Sequence, residues 1–234
     1  MKLVILAGGY GTRISEETKI KPKPLVKIGN KPIIWHLMKI YSAFGIKEFI
    51  ICVGYRGYMI KKELIKYKNA ENWKIKFVNT GLHTMTGGRV KRIKKYINKD
   101  KHFCLSYGDG LSNVDIKKLI KFHISKSKIA TLTAVKYKNP KGILSINKTL
   151  NINNIKEKPI EYINGGFFVL SNKIFKYLKN DKSIFEKDCL PVLSKKKQLL
   201  AFKHDGFWAC MDTLREKKEL NTLWKKKNCD WKVW

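Results

Sequence analysis

Four segments of this 234-residue chain carry residue types and spacings that could do chemistry. The first is Leu6-Ala7-Gly8-Gly9-Tyr10-Gly11-Thr12-Arg13, which follows an apolar run. Glycines there let backbone N–H groups approach phosphates closely. It is not the dinucleotide fingerprint, which needs glycine where Ile14 stands, and no Gly-Lys-Ser/Thr follows to make a Walker loop. Nor can a helix open through Lys21-Pro22-Lys23-Pro24, as both motifs require. The pattern points to a phosphate-gripping loop of another kind, with Arg13 and Lys23 as clamps. The plain alternative is a glycine turn beside solvated lysines.

The second segment is Tyr107-Gly108-Asp109-Gly110. A carboxylate between glycines is sterically free to hold Mg²⁺, a hard cation that takes oxygen ligands and keeps waters. Ser112-Asn113-Val114-Asp115 behind it has the wrong spacing for a calcium loop and reads as a helix cap with an acidic first turn. The third is Glu157-Lys158-Pro159 followed by Ile163-Asn164-Gly165-Gly166. The proline fixes how the lysine is presented, and an Asn-Gly-Gly turn lets backbone approach a hydroxyl-rich ligand. A turn lysine and a hairpin bend would read the same way. The fourth, Gly206 to Thr213, offers Asp212 as a second metal carboxylate or as an ordinary N-cap.

These residues need elements to position them. Apolar runs predict strands at 2–6, 48–53, 73–78, 103–107 and 129–135. Helical spacing predicts helices at 33–44, closed by Gly45, and at 58–67, 90–97 and 114–123. The alternation implies an α/β fold with a Rossmann-like mixed, mainly parallel sheet and helices on both faces. Asp109 then lies at the carboxyl end of a central strand, where such sheets bind ligands. Residues 143–146, 150–155 and 162–170 read as short strands of a small β-rich lobe. A helix is expected over 212–227, with Trp231 and Trp234 packed back on the body. With no repeat or linker, 1–234 is expected to be one domain.

Composition narrows the class. The net charge of +32 suggests nucleic acid or an anionic membrane, but only five of the 50 basic residues are arginine. Lysine spread over every polar surface lacks the arginine forks and localised stripe of a nucleic-acid reader, so no nucleic-acid partner is expected. Where lysine dominates so heavily, Arg13 and Arg89 mark positions that need a planar, two-pronged cation. The five cysteines form no C-x-x-C pair and read as reduced core thiols, and the five histidines show no metal spacing. No apolar run is long enough to span a membrane. The opening residues read as a buried strand rather than a signal peptide, which leaves a cytoplasmic protein as the expectation.

Taken in order, the segments LAGGYGTRISEET, KPKPLVKIGNKPIIWH, NTGLHTMTGGRVKR, YGDGLSNVDI, EKP, INGGFFVL and HDGFWACMDTLREK resemble the sugar-1-phosphate nucleotidylyltransferases end to end. TMTGGR and HDGFWACMDT are most similar to the cytidylyl branch, which implies CTP and glucose 1-phosphate as substrates and CDP-glucose as product. The resemblance implies that residues 6–13 (Leu6, Ala7, Gly8, Gly9, Tyr10, Gly11, Thr12, Arg13) bind the triphosphate with Lys23 and Gly108. Thr84 and Arg89 would touch the nucleotide. Asp109 and Asp212 would hold Mg²⁺, and Glu157, Lys158, Asn164, Gly165 and Gly166 would bind the sugar phosphate. Arg13, Lys23 and Asp109 would be catalytic, and a homo-oligomer is implied. Two departures stand out. Only Lys68 to Asn72 occupies a place where that branch carries a long insertion, and Asn139-Pro140-Lys141-Gly142 reduces its arginine–aromatic–glycine pattern.

Such a reaction needs no protein nucleophile. It needs positioning and charge neutralisation, which suits a chain with phosphate clamps and no Ser-His-Asp set. Arg89, a donor-only group, could pair with cytosine O2 and N3 but would meet the N3–H of uracil donor to donor. A uridylyl- or thymidylyltransferase is the nearest rival. A nicotinamide oxidoreductase fails on the fingerprint, and a non-enzymatic basic nucleic-acid-binding protein would release no pyrophosphate.

Overall fold

The computed structural model describes residues 1–97, 99–138, 141–226 and 229–234. From the N-terminus, β1 (Leu3–Ala7) leads through the glycine loop to α1 (Ser15–Thr18). A two-stranded ribbon, β2 (Lys27–Ile28) and β3 (Lys31–Pro32), then feeds α2 (Ile33–Ala43). Next come β4 (Glu48–Val53), α3 (Gly57–Ile65), β5 (Lys74–Asn79), α4 (Thr86–Arg92) and α5 (Lys94–Ile97). The middle holds β6 (His102–Tyr107), β7 (Gly110–Ser112), α6 (Ile116–Lys126), β8 (Ala130–Lys138), β9 (Ile143–Ile146) and β10 (Ile152–Lys156). The chain continues through β11 (Ile160–Ser171), α7 (Leu190–Lys195), β12 (Leu199–His204), β13 (Trp208–Cys210) and α8 (Leu214–Trp224).

Seven strands form one sheet in the order β12-β8-β11-β6-β1-β4-β5. β1 is parallel to β4 and β6, β5 is parallel to β4, and β12 is parallel to β8. Only β11 runs against its neighbours β6 and β8. The mixed, mainly parallel α/β expectation holds. Its strands read as continuous apolar runs because both faces are covered. Along β1, Leu3 and Ile5 enter a core shared with α2 and α8, whereas Val4 enters the opposite core beneath α4, α5 and α7. Successive side chains point to opposite faces, so each strand serves two cores.

Several expectations change in detail. The helix expected over 90–97 begins earlier and is broken: α4 starts at Thr86, taking in Gly87, Gly88 and Arg89, and α5 follows from Lys94. These glycines permit close packing, since a Cβ at Gly88 would lie 2.6 Å from the Asp181 backbone and one at Gly87 2.8 Å from the Ser183 carbonyl oxygen. Asn164-Gly165-Gly166 lies inside β11, at a register break between Asn164 and Phe168, and not in a hairpin bend. The cap of α6 is Asp115, which accepts from the Lys118 amide at 2.8 Å. Lys227, where the last helix was expected to end, lies outside the described residues, as do Asn139 and Pro140.

Two expectations on the core stand, one of them in part. Cys52, Cys104, Cys189 and Cys229 are buried free thiols, whereas Cys210 is free but only half-buried, against the expectation of five core thiols. Trp231 is fully buried, 6.0 Å from the Trp224 ring. The short link after α3 is fastened to α2: Lys39 meets Glu71 at 2.8 Å, and the Trp73 indole N–H donates to Ser42 Oγ at 2.6 Å.

Candidate active site

The carboxyl ends of β1 and β6 lie side by side, with Leu6 opposite Tyr107. The glycine loop and the Gly108-Asp109-Gly110 turn therefore leave the sheet together. They open into a cleft of about 820 Å³. Its lining includes the whole 6–13 loop, Lys23, Thr84, Arg89, Gly108, Asp109, Asp212 and residues 164–166. The predicted nucleotide, metal and Asn-Gly-Gly residues are thus brought together. Glu157 and Lys158 are not among the lining residues: both are exposed at the turn from β10 to β11, where Lys158 takes a left-handed φ of 43°.

The floor of the cleft is a chain of charges. Lys23 Nζ stands 2.5 Å from Asp109 Oδ2 and 2.5 Å from Asp212 Oδ1, and Arg13 Nη1 lies 2.5 Å from Asp212 Oδ2. Burial alone would lower the lysine pKa, but the two carboxylates outweigh it and hold Lys23 above the ordinary value. Asp212 arrives because β13 pairs with β7 (Cys210 opposite Gly110) and the Met211 amide donates to the Asp109 carbonyl. It is not the cap of α8. That role falls to Thr213, in a reciprocal capping box with Glu216, which leaves the Asp212 carboxylate for the cleft.

The glycine loop is tied from below. The Arg89 side chain donates from Nη1 to Thr80 Oγ1 (2.6 Å) and the Gly81 carbonyl (2.9 Å). From Nη2 it donates to the carbonyls of Gly8 (2.9 Å) and Leu82 (3.4 Å). It is almost fully buried, and its terminal N–H groups already hold the loop after β1 to the turn after β5. Above it, the amides of Gly9, Tyr10 and Gly11 donate to no backbone carbonyl among the described residues, leaving them free for an anion.

One group was missed from sequence. Glu186, on a π-helical turn at Phe185–Cys189, lines the same cleft. It accepts from the Tyr107 hydroxyl at 2.5 Å and from Thr86 Oγ1 at 2.7 Å. Asn164 Nδ2 donates to the Tyr107 oxygen at 3.3 Å. The scarcity argument applied to arginine applies here too, since only 18 residues are Asp or Glu.

The chemistry available is electrostatic. Cys210 is the one cysteine on the lining, and burial together with the nearby Asp212 pushes its thiol up to about 12, which leaves it protonated at neutral pH. Among the described residues, no three or more His, Cys, Asp or Glu side chains form a metal-binding group. No described helix is long and apolar enough to cross a membrane.

The family model for nucleotidyl transferases matches residues 2–217. The glucose-1-phosphate cytidylyltransferases of Salmonella typhimurium and Salmonella typhi are each 45% identical over 257 aligned positions, covering all of both chains. Since 257 exceeds the 234 residues here, the alignments carry gaps in this chain. The crystal structure of HddC from Yersinia pseudotuberculosis superposes with a TM-score of 0.77 at 30% identity, over 96% of this chain and 99% of that one.

Proposed function

The chain belongs to the nucleotidyl transferase family, and from that premise we propose that it moves a cytidylyl group from CTP to α-D-glucose 1-phosphate, giving CDP-glucose and pyrophosphate. The observation that carries the chemistry is the Arg13–Asp212–Lys23–Asp109 chain of charges facing the free amides of the glycine loop. The base and sugar follow the full-length similarity to the two Salmonella enzymes.

An oxygen of the sugar phosphate attacks the α-phosphorus, and pyrophosphate leaves in line. The loop amides hold the triphosphate. Arg13 and Lys23 neutralise charge that grows on the leaving group, so they act mainly on the transition state. Asp109 and Asp212 fit a divalent cation. One ammonium already stands between their oxygens, and two carboxylates completed by phosphates and waters suit Mg²⁺. When bound, the ion would screen the phosphate charge. Arg89 acts on the base site by fixing the carbonyls of Gly8, Gly81 and Leu82. Lys158 would serve the sugar phosphate, which requires the exposed turn between β10 and β11 to approach the cleft. Cytoplasmic location and a homo-oligomer complete this reading.

A pyrophosphate-release panel tests it, with CTP, UTP, dTTP, ATP and GTP each against several sugar 1-phosphates. CTP with glucose 1-phosphate should be the best pair. A preference for UTP or dTTP would move the chain to another branch.

A further inference from the structure

Glu186 is a carboxylate on a cleft otherwise arranged to receive phosphates, in a chain with 50 Lys and Arg against 18 Asp and Glu. Among the described residues no salt bridge reaches it. Its partners are two neutral hydroxyls, Tyr107 at 2.5 Å and Thr86 at 2.7 Å. A carboxylate has about four lone-pair sites, so these bonds leave acceptor capacity. It repels phosphate and therefore suits a neutral donor on the ligand. Three donors are available in the proposed substrates: the cytosine amino group, the ribose hydroxyls and the glucose hydroxyls.

The surroundings favour the last. The Tyr107 ring crosses Gly166, where a Cβ would come 2.8 Å from Tyr107 Cδ2, so the glycine in β11 makes room for this ring. The Tyr107 oxygen accepts from Asn164, whose Oδ1 in turn accepts from the Gly166 amide at 2.9 Å. Tyr107, Asn164 and Gly166 thus join Glu186 to β11, the strand that carries the Asn-Gly-Gly residues assigned to the sugar phosphate. We propose that the Glu186 carboxylate accepts a hydroxyl of the glucose ring and is a specificity-determining residue of the transfer. This rests on the reaction proposed above.

The test uses the full-length enzyme with analogues of glucose 1-phosphate in which each ring hydroxyl in turn is replaced by hydrogen or by fluorine. Wild type with CTP and glucose 1-phosphate is the control. Absence of pyrophosphate there overturns the reaction itself and not the role of Glu186. If the control is active, at least one ring position should lose roughly tenfold or more in kcat/KM with both replacements. Fluorine cannot donate, and that factor is typical of a hydrogen bond to a charged group. Glu186→Gln should raise KM for glucose 1-phosphate by a similar factor, leave KM for CTP within about twofold, and show no further loss with the sensitive analogue. Equal use of every fluoro analogue by wild type overturns the proposal whether or not the variant folds. So does a variant whose loss falls on CTP, or on the ratio of CTP to dCTP.

Discussion

The floor of the cleft and the β9–β10 hairpin differ sharply in how they are held. Asp109 follows β6, whose residues Phe103, Cys104 and Leu105 are fully buried, and Lys23 is itself only 8% exposed. By contrast every residue of β10 is exposed, and Leu144, Ile146, Leu150 and Ile152 point large apolar groups at solvent. A two-stranded hairpin is marginal on its own in water. Groups that neutralise charge must be fixed before the reaction, because reorganising them would add to the barrier. A group that only helps to bind the sugar phosphate, as proposed for Lys158, can sit on a less firmly held segment.

That contrast breaks first at Asp109 and Asp212. Asp109→Asn and Asp212→Asn should each lower kcat by about a thousandfold or more with the thermal midpoint little changed. The double variant should be no worse than roughly the worse single, because the two act as a unit. Steady-state pyrophosphate release with parallel melting curves decides. Near-normal turnover in Asp212→Asn would reduce that residue to a structural neighbour of the α8 cap.

Arg89 sharpens it next. If the guanidinium is a clamp, Arg89→Ala should lower kcat/KM for CTP and UTP in parallel, by roughly a hundredfold, because removing it leaves buried carbonyls unpaired. A direct base reader behaves differently: CTP use falls and UTP use is unchanged, so selectivity collapses. Rates with the two nucleotides separate these outcomes.

In the turn after β10 the effect should be smaller. Lys158→Ala is expected to raise KM for glucose 1-phosphate about tenfold and leave the melting temperature unchanged, since the side chain is exposed. A drop in kcat as large as that of Asp109→Asn would show that this turn belongs to the reacting centre.

The smallest effect at neutral pH lies in the body of the fold. Burial lowers His36 and His123 to about 4 each. The unfolded chain binds these protons near pH 6.5, so stability should fall as pH drops from 6.5 toward 4 and level off below. Each histidine contributes about 3 kcal/mol at most. Urea midpoints between pH 7 and pH 4 measure it, and a flat profile would contradict the buried neutral imidazoles.

Much of this was legible in the sequence, for identifiable reasons. Apolar strands covered on both faces and glycine-punctuated strand ends are local signals, and they placed β1, β4, β6, the glycine loop and the Gly-Asp-Gly turn. The α4 glycines carried no local helix signal because their reason is tertiary: they admit the backbone of Asp181 and Ser183, roughly ninety residues further along the chain. Asp212 was ambiguous until Thr213 was seen to cap α8. Glu186 was invisible because its partners, Tyr107 and Thr86, lie far away in the chain.

The ammonium between Asp109 and Asp212 has a consequence for how ligands arrive. Two negative charges there are already matched by Lys23 and Arg13. A bare divalent ion entering this closed circuit would have to displace a bonded lysine and leave it without a counter-charge. A triphosphate arriving with its metal offers both exchanges at once: oxygens for the displaced cations and a new cation for the carboxylates. On the proposed reading, such a site would work as an ion exchanger, favouring the pair over either ion alone.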